Sequence, residues 1–428
     1  MKHRVPTRRA RVWRLLRPVR DAVPLTVFGA TTLLAAWAVL LFYGRGQADF
    51  VLRAGMYVTG AVVAASLLSV LLATGALFLR VRRLTTEPVE GHVETGQQRE
   101  GLRLPRFAWW PLVVIDLSWR TPEGVDVKLA PERGADRERF TPTERGRPIA
   151  VVRAFTVRDI FGFAALTFSR RADATLRVAP ARAQVDLSAA LRHLAADGHA
   201  HPSGELVGDL VEMRRYAPGD PLRLVLWKAY ARTRRLLVRM PERAIAPEPS
   251  TVAYFVAGPG DEPSASVARA FVEGGLLGPD FTFGADGTEA LARTPEAAVE
   301  AIIDSVYQRA RGGAGLTTFA AQVDPARLGS CVLFVPTTPG PWLTAVAAFA
   351  KRAPAPPLLL LTLDGGFAEK PPRLRHWLWR APAEETDDLA GLRSVYDAVR
   401  ALGAPVYVVH RGSGQVLDAA QIEALTER

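Results

Sequence analysis

One cysteine, Cys331, is all that 428 residues contain. It cannot close an internal disulfide, and it rules out a Cys-based zinc site. Acidic residues are missing from residues 1–20, which hold eight Lys or Arg. Charge of either sign is missing from residues 22–44 and again from residues 54–79. These absences explain the net charge of +11. The first twenty residues and the trio Arg80, Arg82 and Arg83 supply the whole surplus, so residues 84–428 are neutral overall. A basic chain usually suggests nucleic acid, but here the charge flanks apolar runs and no nucleic-acid partner is expected.

The length argues for two or three domains. Both uncharged runs are long enough to cross a bilayer, and Trp37, Phe42, Tyr43 and Tyr57 stand near their ends as interfacial aromatics do. Only residues 45–53 separate them. A signal peptide does not fit, because a second apolar run follows at once. Basic clusters before the first run and after the second orient both ends toward the cytoplasm. The expectation is a basic cytoplasmic tail over residues 1–20 and a transmembrane helical hairpin over residues 21–83. The chain would then be a two-pass protein of a bacterial inner membrane, with its remaining domains in the cytoplasm.

Residues 84–180 read as a β-sandwich. Short β-prone runs at 113–119, 125–129, 149–157 and 174–178 alternate with Pro and Gly turns. From residue 249 the pattern changes. Apolar strands at 251–256, 281–284, 331–335, 358–363 and 406–409 alternate with helices at 264–273, 295–311, 342–352 and 387–402. Continuous apolar strands between helices predict a mostly parallel sheet covered on both faces. Between the two lies a junction, residues 181–248. It includes a helical stretch at 187–196 and three close histidines, His193, His199 and His201, which read as a surface loop rather than a metal set.

The most individual stretch of the junction is residues 204–242. Its centre, Arg214-Arg215-Tyr216-Ala217-Pro218-Gly219-Asp220, is a turn signal set among charged and aromatic groups. Arg223, Trp227 and Arg232 follow, and the spacing of Arg223 and Trp227 is that of one helical turn. Three readings stay open. The aromatics and Asp220 can staple the arginines, the arginines can receive an acidic partner, or Asp220 can be catalytic. The third lacks a nucleophile–base pair, a metal set and a phosphate loop nearby.

Arg214, Tyr216, Gly219, Asp220, Arg223, Trp227, Ala231 and Arg232 resemble the signature of the family catalogued as domain of unknown function 58. Arg215 and Leu226 stand where that family usually carries polar partners. Glu144-Arg145-Gly146 and the turn Arg158-Asp159-Ile160-Phe161-Gly162-Phe163 resemble two further pieces of it. The resemblance implies a multidomain fold: a two-helix transmembrane hairpin, a β-sandwich, and an α/β, Rossmann-type domain similar to von Willebrand factor type A over residues 249–428. It also implies a non-enzymatic role beside a MoxR-type AAA+ ATPase, in assembly or maturation of membrane or envelope complexes. Type A domains often bind a divalent ion through Asp-x-Ser-x-Ser after the first strand. Here that run is Asp261-Glu-Pro-Ser264-Ala-Ser266, which departs from the pattern. No cofactor and no metal are expected, and Asp261, Ser264 and Ser266 are the weak metal candidates. The alternatives are a metal-dependent binding module of that type and a hydrolase using the Asp220 region.

Overall fold

The structure, a computed structural model, describes residues 21, 23–43, 50–84, 88–105, 112–183, 206–215, 225–243, 251–324, 328, 331–354, 356–364, 389–417 and 422. The basic tail, the 187–196 stretch, the histidines His193, His199 and His201, and residues 216–224 lie outside these. The chain divides into two compact units, one ending at Ala179 and one beginning at Pro180.

The N-terminal unit opens with two helices, α1 (Val27–Tyr43) and α2 (Phe50–Leu84). Within α2, Arg53–Arg82 is long and apolar enough to cross a membrane, with mean hydropathy 2.4; Val27–Val39 in α1 is a shorter apolar segment. Seven strands follow: β1 (Val89–Glu94), β2 (Arg99–Pro105), β3 (Val113–Thr121), β4 (Val125–Glu132), β5 (Ala135–Pro142), β6 (Ala150–Asp159) and β7 (Ala165–Ala179). They form a four-stranded sheet, β1-β7-β6-β3, and a three-stranded sheet, β2-β5-β4. Only β1 and β7 pair in parallel.

One face of the four-stranded sheet has two covers. Toward one end Trp119, Val151 and Leu176 pack on Phe140 of the smaller sheet. Toward the other, Leu117, Phe155 and Val157 pack on Val70, Ala73, Leu77 and Val81 of α2. Those four α2 residues recur at intervals of three and four, which places them on one stripe of the helix. The second uncharged run is therefore not lipid-like along its whole length, because the carboxyl half of α2 is also a core helix of the sandwich. The border between the covers is polar. Glu138, fully buried on β5, accepts from Arg153 Nε at 2.9 and 3.1 Å, from Trp119 Nε1 at 2.5 Å and from the Leu102 amide at 2.8 Å. The Arg153 guanidinium lies 5.7 Å from the Trp119 ring centre, within cation–π range.

The C-terminal unit begins with an antiparallel pair, β8 (Leu206–Arg215) and β9 (Leu237–Arg243), with the short helix α3 (Trp227–Thr233) between them in sequence. Then come β10 (Val252–Phe255), α4 (Glu262–Glu273), β11 (Thr282–Ala285), α5 (Pro295–Asp304), a 3₁₀ segment (Ser305–Arg311) and α6 (Leu316–Gln322). They are followed by β12 (Cys331–Val335), α7 (Trp342–Arg352), β13 (Leu358–Leu363), α8 (Leu389–Arg400), β14 (Val406–His410) and β15 (Val416–Leu417). The sheet order is β11-β10-β12-β13-β14-β15, parallel except for the β15 edge. Residues alternate between two cores. Val252, Tyr254 and Val256 face one with Phe319, Trp342 and Val346, while Ala253 and Phe255 face the other with Phe271, Ile302 and Phe334. This is an α/β layer structure with apolar cores on both sides of the sheet.

One local difference from the sequence pattern has a clear cause. The helix expected over residues 295–311 tightens into 3₁₀ at Ser305, whose hydroxyl donates back to Ile302 O at 2.7 Å. The expected sharing of a helical turn by Arg223 and Trp227 is not described, because Arg223 lies outside the described residues. Leu226 is the residue before α3, with ψ 81°, and Val225 bridges to Val238, so the helix begins only at Trp227.

Candidate functional site

An open parallel sheet leaves a crevice at the carboxyl ends of two neighbouring strands whose connections run opposite ways, and ligands bind there in many such folds. In the order β11-β10-β12 that place lies beyond β10 and β12. Here the chain fills it with its own groups. A Cβ on Gly258, after β10, would lie 2.6 Å from Pro336 Cγ, after β12, and 3.2 Å from Trp342 Cδ1. The loops that should part are in contact, over an indole that is fully buried and donates to Thr338 O at 3.0 Å.

Asp261 ends the β10 loop and is fully buried. Its Oδ2 accepts from the Gly258 amide at 3.0 Å, and its Oδ1 accepts from Arg309 Nε at 2.9 Å. Arg309, from the 3₁₀ segment, also donates through Nη2 to Glu262 Oε1 at 2.6 Å. Ser264 donates to Val335 O at 2.8 Å, and Ser266 donates to Glu262 O at 3.1 Å. The three weak metal candidates therefore do not converge as a cation's ligands. One carboxylate oxygen already has an amide and the other a guanidinium, and each hydroxyl proton is directed at a carbonyl. This donor set does not fit a divalent ion, which takes oxygen lone pairs. Among the described residues no group of three or more His, Cys, Asp or Glu could hold a metal.

Asp286, just after β11, is the second buried carboxylate, and nothing in the sequence pattern singles it out. Oδ1 accepts from Tyr254 Oη at 2.9 Å and the Gly315 amide at 3.1 Å. Oδ2 accepts from the Ala257 amide at 2.8 Å and the Gly313 amide at 2.7 Å. Gly313 has φ +81°, a conformation that favours glycine. Burial pushes the Asp286 carboxyl above the usual range, against the pull of these four donors. Burial and the facing carboxylate raise the Tyr254 phenol as well. The arrangement ties the ends of β10 and β11 to the 312–315 turn. It offers no nucleophile with an adjacent base. Asp364, after β13, pairs with Arg411 at 2.7 Å, and Arg411 Nη1 also lies 3.4 Å from Ser266 Oγ.

The signature residues are placed unevenly. Arg214 is in β8. Tyr216, Gly219, Asp220 and Arg223 lie outside the described residues. Trp227 opens α3 and Arg232 stands in its last turn, and α3 has no buried residue. Trp227 is 55% exposed and meets Tyr230 edge-on at 6.4 Å. Lys228, Arg232, Arg234 and Arg235 are exposed beside it. Among the described residues no cation–π contact joins Trp227 to an arginine.

No family model matches the chain, and no curated protein does. Among solved structures it is similar to part of a point mutant of the SrpA adhesin from Streptococcus sanguinis, at 13% identity, with a TM-score of 0.15 over 26% of this chain and 66% of that one. So partial and weak a likeness carries no argument about fold or role.

Proposed function

We propose that the chain is a membrane-anchored, non-enzymatic interaction protein, with α1 and α2 as a two-helix transmembrane hairpin and the sandwich and a von Willebrand factor type A-like domain in the cytoplasm of a bacterial cell. Its partner on this reading is a MoxR-type AAA+ ATPase, in the assembly or maturation of membrane or envelope complexes. The observation that carries the partner reading is the surface of α3. A large indole more than half exposed, among four exposed cations, is the composition of an interaction hot spot that accepts an acidic or polar partner surface. The resemblance of residues 204–242 to the signature of the domain of unknown function 58 family supplies the partner class. Exposed apolar side chains on α1 and the amino half of α2, including Val27, Leu34, Trp37, Phe50 and Tyr57, support the anchor.

Neither alternative gains support. A metal-dependent module needs the ligands that Arg309 and backbone groups engage, and the Asp220 region of the hydrolase reading lies outside the described residues. The test is purification of the full-length chain from membranes, with identification of what accompanies it. An AAA+ ATPase should copurify with the parent and be lost from Trp227→Ala/Arg232→Ala, with folding unchanged. Equal capture by parent and variant removes α3 from the interface, and absence of any ATPase removes the partner. A reporter fused after Arg428 should read cytoplasm, and an external signal contradicts the orientation.

A further inference from the structure

The end of the sandwich where β6 turns into β7 carries large apolar side chains in the open. Ile160 is 55% exposed and Phe161 46%, and Leu112, whose carbonyl accepts from the Ile160 amide at 3.1 Å, is 53% exposed. A loop tip is ordinarily polar, because nothing there buries an apolar group. Two charged groups beside this turn have partners within the fold. Asp159 accepts the Ala164 amide at 2.8 Å, and Arg158 pairs with Asp116 at 2.8 Å.

The same turn is bonded to the start of α1. Leu25 bridges to Ala164, and the Ala165 amide donates to Pro24 O at 3.0 Å. The Thr26 amide and hydroxyl both reach Phe163 O, at 2.9 and 3.0 Å, and the hydroxyl lies 2.5 Å from Gly162 O. Phe28, in the first turn of α1, stacks on Phe163 with ring centres 5.5 Å apart, and Phe163 stacks in turn on Phe161 at 5.9 Å. Gly29 is required for this approach, because a Cβ there would collide with Phe163 O. The tip is thus held within one helical turn of the first residue of α1, about 5 Å along the axis.

We infer that the β6–β7 tip, through Leu112, Ile160 and Phe161, inserts into the headgroup and acyl boundary of the bilayer that α1 enters. This rests on the membrane-anchor reading. With α1 in the bilayer, its amino end is at the boundary, and the hydrogen bonds hold the tip at the same depth. Apolar and aromatic side chains gain there what they lack in water, as on interfacial helices. The sandwich would then stand on the membrane at a fixed tilt, clamped at the tip as well as by α2.

The experiment uses the full-length chain with Cys331→Ala, reconstituted into vesicles of phosphatidylcholine and phosphatidylglycerol. One environment-sensitive fluorophore is attached at Leu34→Cys in α1, at Ile160→Cys in the tip, or at Glu123→Cys at the opposite end of β3. The quencher is a nitroxide carried on the lipid chain near the headgroup. Labels at 34 and 160 should be quenched and blue-shifted, and the label at 123 should behave as in water. Quenching at 34 with a water-like signal at 160 overturns the tip insertion and leaves the anchor standing. No quenching at either position overturns the anchor, and the tip proposal with it. A label at 160 that is shielded from an aqueous quencher, yet untouched by the lipid nitroxide, overturns it in favour of contact between copies.

Discussion

Arg309 bridges two carboxylates, reaching Asp261 Oδ1 at 2.9 Å and Glu262 Oε1 at 2.6 Å. Asp261 is fully buried, and the Arg309 side chain is 13% exposed. A guanidinium suits the place because its planar fork serves both acceptors at once. Removing one partner of a buried pair leaves a bare charge. Arg309→Ala should therefore destabilise the C-terminal unit by about 3–5 kcal/mol. Arg309→Lys should recover only part of that, since an ammonium cannot fork. Urea denaturation checks both, and a loss below about 1 kcal/mol for Arg309→Ala would class the pair with surface ion pairs.

Asp286 should give the C-terminal unit a pH-dependent stability. Its pKa is raised in the folded state from the ordinary 3.8, with burial the largest cause. The folded form therefore holds this proton to higher pH than the unfolded form does. The stability linked to it is fully present below the ordinary value and is lost as pH rises through the raised one. Asp286→Asn removes that slope. It also turns an NH₂ group toward two of the four backbone and phenol donors, at a cost of about 1–3 kcal/mol for each donor left unmet. The difference in stability between parent and variant should shrink from acid to neutral pH. A difference that grows contradicts the sign of the shift.

In the sandwich, Glu138 accepts from groups on both sheets, so its loss should be felt by the whole N-terminal unit. Glu138→Ala strands a nearly buried Arg153, whose side chain is 4% exposed, and should cost about 3–5 kcal/mol. Glu138→Leu with Arg153→Met should recover most of it, because replacing both members leaves no unpaired charge. Thermal unfolding of the full chain separates the cases. A double variant as unstable as the single one would mean that the pair contributes more than charge compensation.

Cys331 begins a central strand and is 2% exposed, and burial pushes its thiol up to about 12. Reaction needs the thiolate and access to it. An aromatic disulfide reagent at mildly alkaline pH should leave the native chain unmodified and modify one thiol per chain in denaturant. Rapid reaction of the native chain would show that β12 opens locally.

Much of the C-terminal sheet was legible. Residues 331–335, 342–352 and 358–363 form the expected strand, helix and strand, because each is an apolar or amphipathic run closed by Pro or Gly. The crevice was not. Arg309 reaches Asp261 across 48 positions, and sequence spacing carries no trace of such a pair. Asp286 carries no sequence signal either, since its four donors lie in two stretches, 254–257 and 313–315, that are distant from it in the chain. Glu138 in Ala-Asp-Arg-Glu-Arg-Phe has the look of a polar edge strand, and only its partners on β3 and β6 explain its burial. The uncharged run of α2 concealed the packing of its carboxyl half on the sheet, because a sheet-facing stripe selects the same Leu, Val and Ala as a membrane span.

The question with most weight is whether the crevice beyond β10 and β12 is closed by the chain's own groups or is a metal site. Calorimetric titration of the full-length chain with Mg²⁺ decides it. The expected result is no saturable heat, and no change on Asp261→Asn beyond the loss of stability. Saturable, stoichiometric binding that Asp261→Asn abolishes while Asp364→Asn leaves it intact would contradict the closed crevice and restore a metal-dependent module.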